Sequence, residues 1–143
     1  MTRVKSDFLF VYSSLRKSFH PEGQHFVSQY FEFLGLGKVK GLLKDSGTEP
    51  VAVPAADEVY IKGELYKLKD PTHFSYVIGQ LDEYEGVVAE AGETALYRRE
   101  LATVYSQDTE PVMAWIYWYN MDTSSYKVIP SGDIMDYTDS HNE

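Results

Sequence analysis

Alternating and continuous hydrophobic stretches along the chain predict five β-strands. Residues 111–119 are apolar on both faces, which is typical of a strand that is covered on two sides. Residues 58–68 instead alternate apolar side chains with Glu58, Lys62 and Glu64, the pattern of a half-buried strand. The predicted strands span residues 8–12, 36–43, 58–68, 96–105 and 111–119.

Two further stretches have the three-to-four spacing of amphipathic helices. Between residues 24 and 34 the apolar side chains recur on one helical face, and Gly35 is predicted to end this helix. The second helix starts at Asp70–Pro71, a capping residue followed by proline at the first helical position. Its apolar stripe predicts an end near Tyr84, with Glu85–Gly86 at or just past the carboxyl terminus.

These elements predict an α+β fold in a single domain. Because both faces of strand 111–119 must be covered, we expect a small mixed β-barrel or a strongly curled sheet flanked by helices. A length of 143 residues and a hydrophobic fraction of 43% suffice for one core. The domain is assigned to residues 1–137, and the acidic residues 138–143 are expected to form a mobile tail.

The charge and the absence of cysteine argue against several classes of function. The formal net charge is −9, and 13 scattered Lys and Arg residues do not supply the positive surface that nucleic acids or acidic membranes require. With no cysteine, thiolate catalysis and disulfides are ruled out, and a cytoplasmic location is expected. The four histidines lack metal-ligand spacing, so no metal site is predicted. The apolar run at 8–12 is too short for a signal core or a membrane span.

Four short motifs resemble, in the same order, those of the gamma-glutamyl cyclotransferase-like family. Each motif alone is common, and their order and spacing over roughly residues 8–119 carry the resemblance. The first motif departs from the family pattern, since Ser13 stands where the family has glycine. The motifs are Tyr12-Ser13-Ser14-Leu15-Arg16, Gly63-Glu64-Leu65-Tyr66, Leu81-Asp82-Glu83-Tyr84-Glu85-Gly86 and Tyr97-Arg98-Arg99.

The resemblance implies a small barrel with a cavity at one mouth and a cyclotransferase reaction. In that reaction the substrate's own α-amine attacks its γ-carbonyl, which releases 5-oxoproline and an amine without a cofactor. Glu85 stands where the family has its catalytic acid/base. The loop whose backbone amides bind the substrate corresponds to Tyr12, Ser13, Ser14 and Leu15. The implied partner is a small gamma-glutamyl compound.

Two other functions are compatible with the sequence. The same fold could bind a small carboxylate without catalysis, since Ser13 in place of glycine could narrow the loop. The chain could also be an interaction module that uses exposed aromatic side chains. Arg98 and Arg99 lie on opposite faces of one predicted strand and are not expected to be catalytic. Tyr97, Tyr117 and Tyr119 could line the pocket and donate hydroxyl hydrogen bonds, although packing of the aromatic ring is the expected role of each. The sequence specifies neither the released amine nor the oligomeric state.

Overall fold

The described part of the chain folds around a seven-stranded β-sheet with two α-helices. In the computed structural model the described residues are 6–12, 21–47, 50–87, 92–107 and 109–133, and of residues 21–24 and Glu85 only the backbone is described. The helices are α1 (Pro21–Tyr30) and α2 (Phe74–Glu85), the latter preceded by a 3-10 turn (Pro71–His73). The strands are β1 (Phe8–Val11), β2 (Phe31–Asp45), β3 (Pro50–Pro54), β4 (Tyr60–Leu68), β5 (Tyr97–Val104), β6 (Val112–Tyr119) and β7 (Lys127–Val128).

The sheet is mixed and strongly curled. Its strand order is β3-β2-β4-β1-β6-β5, and β7 pairs with the end of β2. The pairing of β1 with β6 is parallel, and the other neighbours are antiparallel. Backbone hydrogen bonds of 3.0 and 2.9 Å between Lys38 and Tyr105 bring the end of β5 back to β2. The sheet therefore forms a curled half-barrel, and the fold class predicted from the sequence is confirmed.

Hydrophobic clusters lie on both faces of the sheet. Alternation along β1 sends Phe10 to the inside of the half-barrel, and Leu9 and Val11 to the side that the helices cover. Along β6, Ile116 and Tyr117 divide between the two faces in the same way. Burying a large apolar side chain of this kind contributes about 1.5–3 kcal/mol to folding. Both faces are thus occupied by core, which explains why strand 111–119 is apolar throughout.

Helix α1 begins and ends earlier in the chain than its hydrophobic spacing predicts. It ends at Tyr30, because the chain from Phe31 onward pairs with β4. The rings of Phe33 and Tyr66 lie 5.4 Å apart on these two strands, a cross-strand aromatic pair that favours the sheet. Gly35 does not end the helix as predicted but lies at a bulge where the register of the two strands shifts. Pairing along most of β4 therefore outweighs the local helical pattern.

Two strands were not predicted from the sequence. Strand β3 begins and ends with proline, a residue that cannot donate to a sheet ladder and is confined to edge positions. Strand β3 is indeed at one end of the strand order, paired with β2 alone. Strand β7 has only two residues, too few to produce a period. The remaining predicted strands agree with β1, β2, β4, β5 and β6 apart from their ends.

The second helix begins as its capping pair predicts. The carboxylate of Asp70 accepts hydrogen bonds from the Thr72 hydroxyl at 2.7 Å and the Thr72 amide at 3.0 Å. These two hydrogen bonds hold the pKa of Asp70 below its usual value. The first turn is 3-10 rather than α-helical, and α2 proper starts at Phe74. Neither helix of the described ranges is long and apolar enough to cross a lipid bilayer.

Candidate functional site

The carboxyl end of β1 supplies the first part of the candidate site. Tyr12 follows this strand, and its ring is buried inside the half-barrel. Its hydroxyl donates a hydrogen bond of 2.5 Å to the backbone carbonyl of Tyr117 in β6. The phenol thus anchors the start of the loop in the core. The other predicted substrate-binding residues, Ser13, Ser14 and Leu15, lie outside the described residues.

The last turn of α2 carries Glu85 and is fastened at its end. Gly86 adopts the left-handed conformation, with φ 84° and ψ 34°, that glycine reaches without a Cβ penalty. The amides of Gly86 and Val87 both donate to the Asp82 carbonyl, at 3.1 and 2.9 Å. The carbonyl of Gly86 in turn accepts from the Tyr97 amide at 3.3 Å, at the first residue of β5. The backbone at Glu85 is therefore held beside the sheet.

A row of residues crosses four strands beneath this turn, on the helix-covered face of the sheet. Glu64 of β4 lies opposite Val11 of β1, and Arg99 of β5 lies opposite Tyr117 of β6. The parallel register of β1 and β6 places Val11 level with Tyr117. Since neighbouring strands are about 4.8 Å apart, the end of β1 and Arg99 are separated by about 10 Å. The row contains residues of two motif segments, Glu64 and Arg99, and it ends one residue before a third at Val11. Helix α2, which carries the fourth, lies over the β5–β6 end of the row.

Asp82 connects α2 to this row. Its carboxylate accepts from Arg99 through Nε at 2.8 Å and Nη2 at 3.3 Å, a two-point ion pair. The Tyr117 hydroxyl donates to the same carboxylate at 2.8 Å. The guanidinium of Arg99 also lies 4.4 Å from the ring centre of Trp115. The Arg99 and Asp82 side chains are only 21% and 17% exposed, so solvent screens this pair less than a surface pair.

Sequence reasoning missed this network. The alternation along β5 correctly separates the two arginines: Arg98 contacts Glu100 at 3.2 Å, while Arg99 faces α2. Tyr117 packs in the core as expected, but its hydroxyl has a specific acceptor. The available signal was the presence of opposite charges in two of the motifs, at Asp82 and Arg99. Only the packing of α2 against β5 shows that these charges meet.

Glu64 is a second residue whose environment the sequence did not reveal. The alternating pattern groups it with exposed polar positions, yet it is only 5% exposed. The Tyr66 hydroxyl donates to its carboxylate at 3.0 Å. A buried carboxylate requires such hydrogen bonds, since desolvation of the charge is unfavourable. Its position opposite Val11 places a buried acid within one residue of the predicted substrate loop.

The described residues also contain a separate cleft. It has a volume of about 530 Å³ and lies between β2, the start of β4 and the segment that follows β7. Lys38, Tyr60, Lys62 and Gly132 are among its lining residues, and none of the site residues above contributes to it. Within the described part of the chain, no group of three or more acidic or histidine side chains is arranged to hold a metal ion.

Comparison with known proteins gives a family match over most of the chain. The model of the family described as gamma-glutamyl cyclotransferase, AIG2-like, matches residues 9–136. No curated protein matched the chain.

Solved structures share the fold. YkqA from Bacillus subtilis is 26% identical with a TM-score of 0.67, and the match covers 96% of this chain but 44% of YkqA. The chain therefore spans less than half the length of that protein. The protein ytfP from Escherichia coli is 29% identical with a TM-score of 0.59, over 92% of this chain and 98% of ytfP. An aig2-like protein from Mus musculus is 17% identical with a TM-score of 0.62, over 86% of this chain and 83% of its own, a likeness of fold.

Proposed function

The chain belongs to the AIG2-like gamma-glutamyl cyclotransferase family, and from this membership we propose that it releases 5-oxoproline from a small gamma-glutamyl amide. The substrate is held between the loop after β1 and the last turn of α2. Glu85 is the acid/base, and backbone amides of Tyr12, Ser13, Ser14 and Leu15 bind the substrate. The reaction needs no cofactor, and the protein works as a cytoplasmic enzyme.

The observation that supports this assignment best is the connection of the two motif segments through Tyr117. Its carbonyl accepts from Tyr12 at the start of the loop, and its hydroxyl donates to Asp82 in the last turn of α2. Segments that are about seventy residues apart in sequence are thereby tied to one residue of β6. A substrate in contact with both the loop and Glu85 would require these two segments to lie close together, and the link through Tyr117 supports this.

The proposed chemistry uses a nucleophile that is already part of the substrate. The Glu85 carboxylate takes one proton from the α-ammonium, and the amine then attacks the γ-carbonyl carbon to form the ring C–N bond. Collapse of the tetrahedral intermediate breaks the bond to the leaving nitrogen, which receives the proton from Glu85. The second proton lost by the ring nitrogen leaves with the amine product. No water is consumed, because both reacting groups belong to one molecule.

The role of the protein is then to fold the substrate and stabilise charge. Because the reacting groups are tethered, holding the chain of the glutamyl moiety in its bent form supplies much of the rate enhancement. Amide donors of the loop after β1 would stabilise the α-carboxylate or the oxyanion that develops on the γ-carbonyl. Such donors stabilise charge without a metal ion.

The test is release of 5-oxoproline from a panel of gamma-glutamyl compounds. The panel contains gamma-glutamyl amino acids, gamma-glutamyl alkylamines and, as a control, the matching N-acetylated compounds, whose α-nitrogen cannot attack. We expect 5-oxoproline and free amine in equal amounts from at least one free compound and none from its acetylated partner. Binding of gamma-glutamyl compounds without turnover would instead support the second function, a carboxylate-binding protein of the same fold.

The second function is suggested by Ser13, because the family has glycine at this position. If serine crowds the anion-binding loop, Ser13→Gly should raise turnover or tighten substrate binding, at some cost in stability from greater freedom of the unfolded chain. Steady-state kinetics and thermal unfolding of both proteins measure the two effects. A lower rate in Ser13→Gly would show that the serine hydroxyl contributes a useful contact.

A further inference from the structure

The amino-acid composition of the last turn of α2 disfavours a helical conformation there. It contains Asp82, Glu83 and Glu85 and has no basic residue. Carboxylates at a helix carboxyl terminus interact unfavourably with the negative end of the helix dipole. Local interactions alone therefore favour loosening of the turn that carries the proposed acid/base.

Contacts from the sheet offset this local disadvantage, and the polar side chains of β5 and β6 that contact the turn meet at Asp82. Arg99 supplies the cation that the helix end lacks, through two contacts of 2.8 and 3.3 Å. Tyr117 adds a hydroxyl donor at 2.8 Å. The Asp82 carbonyl accepts from both amides that follow the helix, those of Gly86 and Val87. Side chain and backbone of one residue thus link the sheet to the end of α2.

We propose that Asp82 and Tyr117 are positioning residues, which hold the last turn of α2 against β5 and β6 and so fix the place of Glu85. This inference deepens the proposed function and rests on it for the role of Glu85. Asp82 itself is occupied by Arg99 and Tyr117, so it acts through the turn and not on the substrate. Arg99 is stacked on Trp115, and its ion pair with Asp82 attaches the turn to the sheet.

The proposal predicts that removing one or the other of two negative charges in this turn affects the rate of amide hydrogen exchange differently. Glu83→Gln removes an exposed carboxylate from the helix end, which relieves the dipole and should slow amide exchange or leave it unchanged. Asp82→Asn relieves the dipole equally but breaks the ion pair with Arg99. Its net effect should be loosening, because a hydrogen bond to a charged partner contributes more than the dipole term. If Asp82 acted only on the helix dipole, both substitutions would change the amide exchange rate in the same direction.

The first measurement is hydrogen exchange of the Gly86 and Val87 amides in the full chain. We expect exchange roughly tenfold to a hundredfold faster in Asp82→Asn and in Tyr117→Phe, with the amides of β2 and β4 unaffected. Tyr117→Phe removes a single oxygen and keeps the ring, so it answers the question even if Asp82→Asn folds poorly. Glu100→Gln, which breaks the exposed pair of Arg98, is the matched control and should leave the turn unchanged. Unchanged exchange in both Asp82→Asn and Tyr117→Phe would overturn the proposal.

The second measurement compares the change in kcat with the change in the affinity for the product, 5-oxoproline. Misplacement of Glu85 should lower kcat roughly tenfold to a hundredfold in both variants, without a matching change in the affinity for 5-oxoproline. Faster exchange with full kcat would overturn the positioning role. Absence of turnover in the unmodified protein would contradict the proposed function instead, and the exchange data would then still decide whether the sheet holds the turn.

Discussion

Replacing Glu85 by glutamine is expected to lower kcat roughly a hundredfold to ten-thousandfold, the range for losing general acid–base catalysis. Glutamine keeps the shape of the side chain but can neither accept the ammonium proton nor return it to the leaving nitrogen. Folding should be intact, because Glu85 is the final residue of α2 and the buried anchors of the helix, such as Leu81, precede it. Binding of 5-oxoproline should persist. Steady-state kinetics and calorimetric binding of the product measure the two quantities.

Glu83→Gln is the control for this substitution. Glu83 lies in the same turn and carries the same charge, so a general electrostatic effect of the acidic helix end would lower kcat in both variants alike. The proposed function expects a large loss only in Glu85→Gln. Equal and mild losses of kcat in the two variants would contradict the acid/base role of Glu85. Full activity in Glu85→Gln would mean that another residue transfers the proton.

Replacing Gly63 by alanine is expected to destabilise the fold by about 3 kcal/mol or more, through overpacking of the core. Gly63 lies in β4 where the end of β1 passes closest. A Cβ there would meet the carbonyl oxygen of Val11 and would lie 2.6 Å from Cζ of Phe10. Because one of these neighbours is backbone, the collision forces β1 and β4 apart at the carboxyl end of β1. Thermal or urea unfolding measures the loss, and activity should fall with it.

Gly79→Ala provides the matched control. Gly79 lies in α2, and a Cβ at this position would meet no atom within 4 Å. Alanine is favoured over glycine in a helix interior by roughly 0.5–1 kcal/mol, so this variant should be slightly more stable than the unmodified protein. If Gly63→Ala were as stable as Gly79→Ala, the close approach of β1 to β4 described above would be wrong.

Five strands of the sheet could be predicted from the sequence because they have strong local signals. Alternation in β4 and the two-sided apolar run of β6 reflect which faces are covered, and this pattern does not depend on distant partners. The end of α1 could not be predicted in the same way. Phe31 fits the helical stripe as well as the strand, and its pairing with Leu68 decides the outcome. Long-range pairing is not contained in any short window of sequence.

The candidate site was accessible from the sequence only through its motifs. Glu85 was singled out by resemblance to the family, since the sequence around it is that of an ordinary helix end. The hydrogen bond between Tyr117 and Asp82 was missed, because it requires α2 to cross β6 at one register position. Glu64 has the spacing of an exposed residue and is nevertheless buried, since strand alternation distinguishes two faces but not which parts of a face helices cover. The environment of these three residues depends on how distant segments pack together and not on the local sequence pattern.

A crystal structure of the chain with 5-oxoproline bound tests the central claim most directly, namely that the loop after β1 and Glu85 face the same substrate. We predict that the product carboxylate accepts hydrogen bonds from amides within residues 12–15. The Glu85 carboxylate should then lie within about 2.6–3.2 Å of the ring nitrogen, the reach of direct proton transfer. Binding of 5-oxoproline in the cleft beside Lys38 and Lys62, or at the loop but beyond the reach of Glu85, would contradict the claim.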